Sequence, residues 1–284
     1  MLEDLPLPAR EQVVLLLPTR EQVGLHGLPL ISQGTLASLK ELRLPIGEFR
    51  AYTVEEAMRQ AHALRAWDLG TLDMSHTDVA DVSALAGCAA LHTLDLSDTR
   101  VRDVSALAGC ATLHWLYLSC CPVTDVSALA GCAGLEKLDI AHTQVTSVSA
   151  LQNCAYLHML DLRNCRGLTD VSALANCAAL HTLDLTGCCG VMDVFGGLSA
   201  LAGCATLHLL NLAYTGMTDL SALAGCAKLR ELYLTACDEL RDVSALADFP
   251  ALHTLDLSEC EGVTDVAALA NCATLHTLYL SYSG

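Results

Sequence analysis

Cationic side chains are scarce in this chain. Its 284 residues carry 15 Lys and Arg against 32 Asp and Glu, a formal charge of −17. An acidic surface without a basic stripe suits a phosphate backbone poorly, because that binding rests on Lys and Arg contacts. Nucleic acid is therefore not an expected partner. No aliphatic run is longer than Val13 to Leu17, far short of a bilayer span. The opening stretch, MLEDLPLPAR, is acidic and lacks the apolar segment of a signal peptide. Together these absences predict a cytoplasmic, or nuclear, chain without membrane contact. Pro/Ser-rich tracts are missing as well. With 53% hydrophobic residues the chain can bury a large core, and long disordered linkers are not expected. Two signatures of site chemistry are also absent, the CxxC pair and the GxxxxGK[ST] phosphate loop.

What is present is a repeated line. Residues 91 to 112 read LHTLDLSDTRVRDVSALAGCAT, and residue 113 begins nearly the same line again. Starts fall at Leu69, Leu91, Leu113, Leu135, Leu157, Leu180, Leu207, Leu229, Leu252 and Leu275, with steps of 22, 22, 22, 22, 23, 27, 22, 23 and 23. A degenerate line at Leu39 (LKELRL) makes eleven. Periods of this length mean stacked repeats.

The 15 cysteines follow the period rather than a disulfide pattern. Cys88, Cys110, Cys132, Cys154, Cys177, Cys204, Cys226 and Cys272 share one slot, which Phe249 fills in the remaining line. Cys121, Cys165, Cys188, Cys237 and Cys260 share another with Thr77, Thr99, Thr143 and Thr215. Both slots read as buried small side chains. Cys120–Cys121 and Cys188–Cys189 are neighbours by chance on this reading.

Each line has the form LxxLxLxx(T/C)xVxDVSALAxCxx. The alternation at LxLxL has strand period. The return segment is short, Ala-rich and headed by Asp81, Asp103, Asp125, Asp170, Asp193, Asp219, Asp242 or Asp265, with Ser147 in one line. Such a residue caps a helix or turn by accepting a backbone N–H two or three positions on. The LxxLxLxx(N/C/T)xL spacing resembles the leucine-rich repeat family over about residues 39 to 284. TDVSAL is similar to the short repeats of internalins and protist proteins, and the Cys260–Asp265 stretch to the Cys-containing repeats of F-box proteins. The resemblance implies an α/β repeat fold, a leucine-rich repeat solenoid with a concave parallel sheet and a helical N-terminal cap. Parallel strands need crossovers, and each line buries its Leu face only against its neighbours.

On that fold the third, fifth, seventh and eighth positions of a line face the concave side. The fifth holds Asp73, Asp95, Asp139, Asp161, Asp184 and Asp256, interrupted by Tyr117, Asn211, Tyr233 and Tyr279. Like charges on adjacent strands repel, and Asp is a poor strand residue, so strand packing does not call for the column. It either keeps the face soluble or meets a basic partner. Departures from the usual Thr/Asp pattern are Trp115, Tyr117, Lys137, Met159 and Arg163, then Leu209, Asn211, Tyr214, Glu231 and Tyr233. Aromatics are only 4% of the chain, and aromatics with Arg on a polar face mark binding hot spots. The expected function is non-catalytic recognition of a protein or peptide, at Trp115, Tyr117, Lys137, Asp139, Met159, Asp161, Arg163, Asp184, Tyr214 and Tyr233.

The second position carries His92, His114, His158, His181, His208, His253 and His276. A straight column offers an ion at most two neighbouring ligands, so no metal and no cofactor are expected. No Asp, His or Cys constellation stands apart from the repeat, and an enzyme is not expected.

The ends depart from the repeat. Residues 39 to 68 read as an irregular first repeat with a capping helix, starting at the capping box Thr53-Val-Glu-Glu56 and presenting Val54, Met58, Ala61 and Leu64 on one face. Residues 1 to 38 are an N-terminal helical cap on one reading. On the other, LPLPAREQVVLLLPTREQVGLHGLPLISQG (residues 5 to 34) resembles an F-box, the module that binds the Skp-type adaptor of cullin–RING ubiquitin ligases. That resemblance implies adaptor contacts at Leu5, Pro6, Leu17, Pro18 and Val23, and a substrate-receptor role for the solenoid. The last line, ending just past its strand, is expected to leave core leucines open.

Overall fold

The computed structural model describes residues 70–192 and 198–283. The capping helix, the degenerate first line and the F-box-like segment with Leu5, Pro6, Leu17, Pro18 and Val23 lie outside the described residues. The other ten lines each give one strand: β1 (Thr71–Asp73), β2 (Thr93–Asp95), β3 (Trp115–Tyr117), β4 (Lys137–Asp139), β5 (Met159–Asp161), β6 (Thr182–Asp184), β7 (Leu209–Asn211), β8 (Glu231–Tyr233), β9 (Thr254–Asp256) and β10 (Thr277–Tyr279). They form one ten-stranded sheet in chain order. All nine pairings are parallel and in register, so Leu72, Leu94, Leu116 and Leu138 fall on one row. The molecule is a solenoid.

The strands are shorter than the LxLxL pattern suggests, three residues each. Three positions after each strand's last residue the backbone turns left-handed, at His76, Asp98, Cys120, His142, Asn164, Tyr214, Ala236, Glu259 and Tyr282, with φ between 55° and 60°. Non-glycine residues adopt this conformation only when the surroundings enforce it. Here the enforcing bond is inter-rung: Asp98 N–H donates to Ser119 O (2.8 Å) and Cys120 N–H to Ala141 O (2.9 Å). Gly187 takes the slot on the sixth rung (φ 70°), where a Cβ would stand 2.6 Å from Asn164 Oδ1.

The chain returns through short 3-10 turns such as Ser105–Gly109 and Ser127–Gly131. Where the expected Asp is described, the heads are capped two residues on: Asp103 Oδ1 accepts Ser105 N–H and Asp125 Oδ1 accepts Ser127 N–H, both at 2.8 Å, while Asp193 lies outside the described residues. Ser147 substitutes with a longer bond to Ser149 N–H, 3.3 Å. The 27-residue line contains a short helix, α1 (Cys189–Met192).

One continuous core of Leu, Val and Cys runs the length of the stack. Both Cys slots are interior, apart from half-buried Cys88, and the described cysteines form no disulfide. The second slot explains why Cys and Thr interchange there. Thr99 Oγ1 donates to Leu96 O of its own rung (2.7 Å), and Cys121 Sγ reaches the same oxygen from the next rung (2.9 Å). Either residue supplies a small donor for that buried carbonyl, which would be costly to leave unpaired. Burial pushes these thiols up, Cys132 and Cys188 to about 12, so they behave as packing groups. On the tenth rung Leu278 and Leu280 stand open at 38% and 39%, whereas the equivalent Leu255 and Leu257 are fully covered. Among the described residues no helix is long and apolar enough to cross a membrane.

Candidate partner-binding face

Register puts the departures from the repeat side by side. Trp115, Lys137 and Met159 are paired neighbours on β3, β4 and β5, and Tyr117, Asp139, Asp161 and Asp184 form the row beside them on β3 to β6. At about 4.8 Å per strand, Trp115 and Met159 stand roughly 10 Å apart with Lys137 between them. Trp115 is 42% exposed and Met159 37%, large apolar surface on an otherwise polar face. Lys137 Nζ lies 5.1 Å from the Tyr117 ring centroid, a cation–π contact that holds the ammonium beside the aromatic pair.

The acidic row next to it has one resident cation. Arg163 Nη2 sits 2.7 Å from Asp161 Oδ2, and its Nε lies 3.9 Å from Asp184 Oδ2. Asp139 and Asp184 are held above the usual carboxylate range, chiefly by burial, with Asp161 adding repulsion. Hydrogen bonds from Ala141 and Thr186, and the Arg163 charge, pull the other way without cancelling the burial. These two carboxylates are therefore poorly solvated charges on an open face, a state that a cationic partner group would relieve.

The remaining candidates stand apart from this patch. Asn211, on β7, separates Asp184 from Tyr233, on β8. Tyr233 Oη donates to Glu231 Oε2 at 2.9 Å, and burial together with that bond raises its phenol to about 12. Tyr214 is 56% exposed at the left-handed corner after β7, where its carbonyl accepts from Cys189 Sγ (3.5 Å). Two exposed aromatics lie outside the strand pattern: Tyr282, 88% exposed at the left-handed corner after β10, and Tyr156, 64% exposed in the turn before β5. The Tyr156 signal is positional, since other lines place Ala, Thr, Gly or Lys there.

The Asp column also has a local purpose that the strand pattern concealed. Asp95 Oδ1 accepts Ser97 N–H (2.8 Å), Asp139 Oδ1 accepts Ala141 N–H (3.0 Å), and Asp184 Oδ1 accepts Thr186 N–H (2.9 Å). Each is a side-chain turn that steadies the chain as it leaves the strand. This corrects the expectation that local structure does not call for Asp here. Asn211 makes the same bond to Ala213 N–H (3.0 Å), so the amide oxygen suffices and the negative charge is not what the turn requires. Tyr117, Tyr233 and Tyr279 have no acceptor for it, and the aromatic rungs forgo the bond.

The histidines of the second position pair along the sheet edge. Ring centroids are 5.3 Å apart for His92 and His114, 4.1 Å for His181 and His208, and 5.2 Å for His253 and His276, all stacked. Burial lowers the His181 pKa, with His208, His158 and Arg230 adding repulsion. Among the described residues no group of three or more His, Cys, Asp or Glu is arranged to hold a metal ion.

No protein-family model and no curated protein sequence matches this chain. Solved structures do. An internalin (inlF) from Listeria monocytogenes aligns with a TM-score of 0.64 at 22% identity, over 76% of this chain and 68% of that one. Internalin C2 (inlC2) from the same organism gives 0.53 at 26% identity, over 76% and 83%. TLR13, in a complex with the RNA ssRNA13, gives 0.53 at 14%, over 73% and 36%. These likenesses concern architecture, and with the ten in-register parallel rungs they identify the fold of this chain as a leucine-rich repeat solenoid.

Proposed function

We propose that the chain is a non-catalytic recognition scaffold that binds a protein or peptide on the sheet face of β3 to β6. One observation carries the reading. On consecutive rungs the repeat gives up its Thr/Asp surface for Trp115, Tyr117, Lys137 and Met159, and at Tyr117 it also gives up a turn-stabilising hydrogen bond. Drifting surface residues rarely combine an exposed aromatic and Met cluster with a local structural cost. The adjoining Asp139, Asp161 and Asp184 favour a partner that brings Lys or Arg beside an apolar side chain. Such a partner matches the net charge of the chain, and the same charge opposes RNA, despite the nucleic acid in the TLR13 complex.

A random-peptide display library panned against the full chain tests this, alongside Trp115→Ala and the double variant Asp139→Asn/Asp184→Asn. The amide variant keeps the turn bonds, as Asn211 does. Enrichment of peptides with a basic residue next to an aromatic or aliphatic one is expected for the wild type. The double variant should lose the basic preference with its melting temperature intact, and Trp115→Ala the apolar one. Identical enrichment in all three chains would sink the assignment.

A further inference from the structure

Past β6 the sheet face changes character again. Register sets Tyr233, Asp256 and Tyr279 in one row on β8, β9 and β10, with Glu231, Thr254 and Thr277 in the row beside it. Two tyrosines thus flank one aspartate, and at about 4.8 Å per strand they start roughly 10 Å apart. Tyr279 is 49% exposed, and the Tyr233 hydroxyl is tied to Glu231 Oε2 at 2.9 Å, which steadies its ring. Burial and Glu231 raise the Tyr233 phenol, and Tyr279 and Asp256 lie close enough to add to that. Asp256 accepts Ser258 N–H at Oδ1 (2.8 Å) and Thr235 Oγ1 at Oδ2 (3.1 Å). A carboxylate has about four acceptor positions, so capacity is left for a further donor.

The chain itself shows what such a tyrosine accepts. Lys137 reaches over Tyr117 from the neighbouring rung, its Nζ 5.1 Å from the ring centroid. On β9 the position equivalent to Lys137 is Thr254, a short side chain with a tyrosine on either side instead of one. The strand positions of β7 to β10 hold no Lys or Arg. Among the described residues no cation is ion-paired with Asp256 or Glu231. A positive group midway between the two rings would stand about 5 Å from each, inside the roughly 6 Å range of a cation–π contact, with the Asp256 carboxylate beneath it.

We propose that Tyr233, Asp256 and Tyr279 form a clamp for an arginine side chain of a protein partner, separate from the face of β3 to β6. The flat guanidinium stacks between the two rings, which need lean in by only about an ångström each to reach contact at about 3.5–4 Å. Its N–H groups donate in their own plane to Asp256, a geometry that a compact, strongly hydrated ammonium does not match. The clamp does not rest on the β3 to β6 patch binding peptide. The two patches differ in one respect: the first carries its own cation over the tyrosine, and the second leaves that place to a partner.

The test uses the full chain and the blocked tripeptide Ac-Gly-Arg-Gly-NH2, which has no apolar side chain to engage Trp115 or Met159. Binding is followed by ligand-observed nuclear magnetic resonance, beside the lysine and the neutral citrulline analogues. Weak, saturable binding of the arginine peptide is expected, with the lysine peptide weaker and the citrulline peptide unbound. Tyr233→Ala and Tyr279→Ala should each weaken it by about threefold or more. Asp256→Asn, which keeps the turn acceptor as Asn211 does, should weaken it as well. Thr254→Lys puts an ammonium where Lys137 stands on β4 and should abolish binding. Asp139→Asn/Asp184→Asn should leave it unchanged. Far-ultraviolet circular dichroism confirms that each variant is folded. No binding to the wild type overturns the proposal, and so does equal binding of the citrulline or the lysine peptide. Full binding by the Tyr233, Tyr279 and Thr254 variants overturns it too, as does loss in the Asp139/Asp184 variant, which would put the arginine on the other patch.

Discussion

Two columns of aspartate run along this solenoid, and they make the same hydrogen bond in different surroundings. At the head of the return turns Asp103 accepts Ser105 N–H at 2.8 Å, and on the sheet face Asp139 accepts Ala141 N–H at 3.0 Å. Asp81, Asp103, Asp219 and Asp242 in the first column are held below the usual carboxylate range by their serine partners. Asp139 and Asp184 in the second are pushed above it by burial. The bond is a property of local chain geometry. The cost of the charge is a property of where the rungs place it, and among the described residues the carboxylates whose pKa is raised by burial lie on the sheet face. That difference separates a structural column from one with charge to offer a partner.

The comparison can be broken outright at one rung. Leu160 lies fully buried between Met159 and Asp161, and Leu160→Ala should cost about 2–5 kcal/mol in urea unfolding. It should also weaken peptide capture by β5, because each rung is held by its neighbours. A survey of cavity-creating Leu variants that left capture untouched would move the binding face elsewhere. Next in size are the caps. Asp125→Ala and Asp170→Ala should each cost about 0.5–2 kcal/mol without altering peptide preference.

The sheet-face column sharpens the contrast. Asp139→Asn should keep or raise stability at pH 7, since it retains the turn acceptor and removes a desolvated charge. Asp139→Ala, lacking the acceptor, should be less stable than Asp139→Asn by about 1 kcal/mol. Equal midpoints for the two would mean that the Ala141 bond contributes nothing. The smallest effect is the pH signature. Carboxylates with lowered pKa stabilise fully above their unfolded value of 3.8 and lose that contribution as pH falls through the lowered value. Asp139 and Asp184 have raised values, so their ionisation costs stability at neutral pH and the cost fades as pH falls through the folded pKa. The melting-temperature gap between wild type and Asp139→Asn/Asp184→Asn should therefore shrink on acidification toward pH 4. A gap that stayed constant would assign it to something other than these two protons.

Much was legible in advance because a stacked repeat contacts only its neighbours. Ten of the eleven line starts gave ten strands in chain order, and the Cys and Thr slots lay inside, where small donors meet a carbonyl. The caps were visible as Asp or Ser two residues before a returning Ser. The meaning of the sheet-face Asp was not visible, since the alternation presents it as mid-strand when the strand ends there. Tyr156 is hidden in the sequence for a related reason. It belongs to a turn, outside the strand alternation that marks the exposed face.

The amino-acid order alone determined the rung spacing, the Leu and Cys columns, the turn caps and the net negative charge. Each of these depends on residues within one line, or on one line copied onto the next. Tertiary structure decided which aspartates are desolvated, that Lys137 lies over Tyr117, and that His181 stacks on His208. Those outcomes depend on distances between side chains on neighbouring rungs, far apart in sequence, and only the closing of one rung on the next fixes such distances.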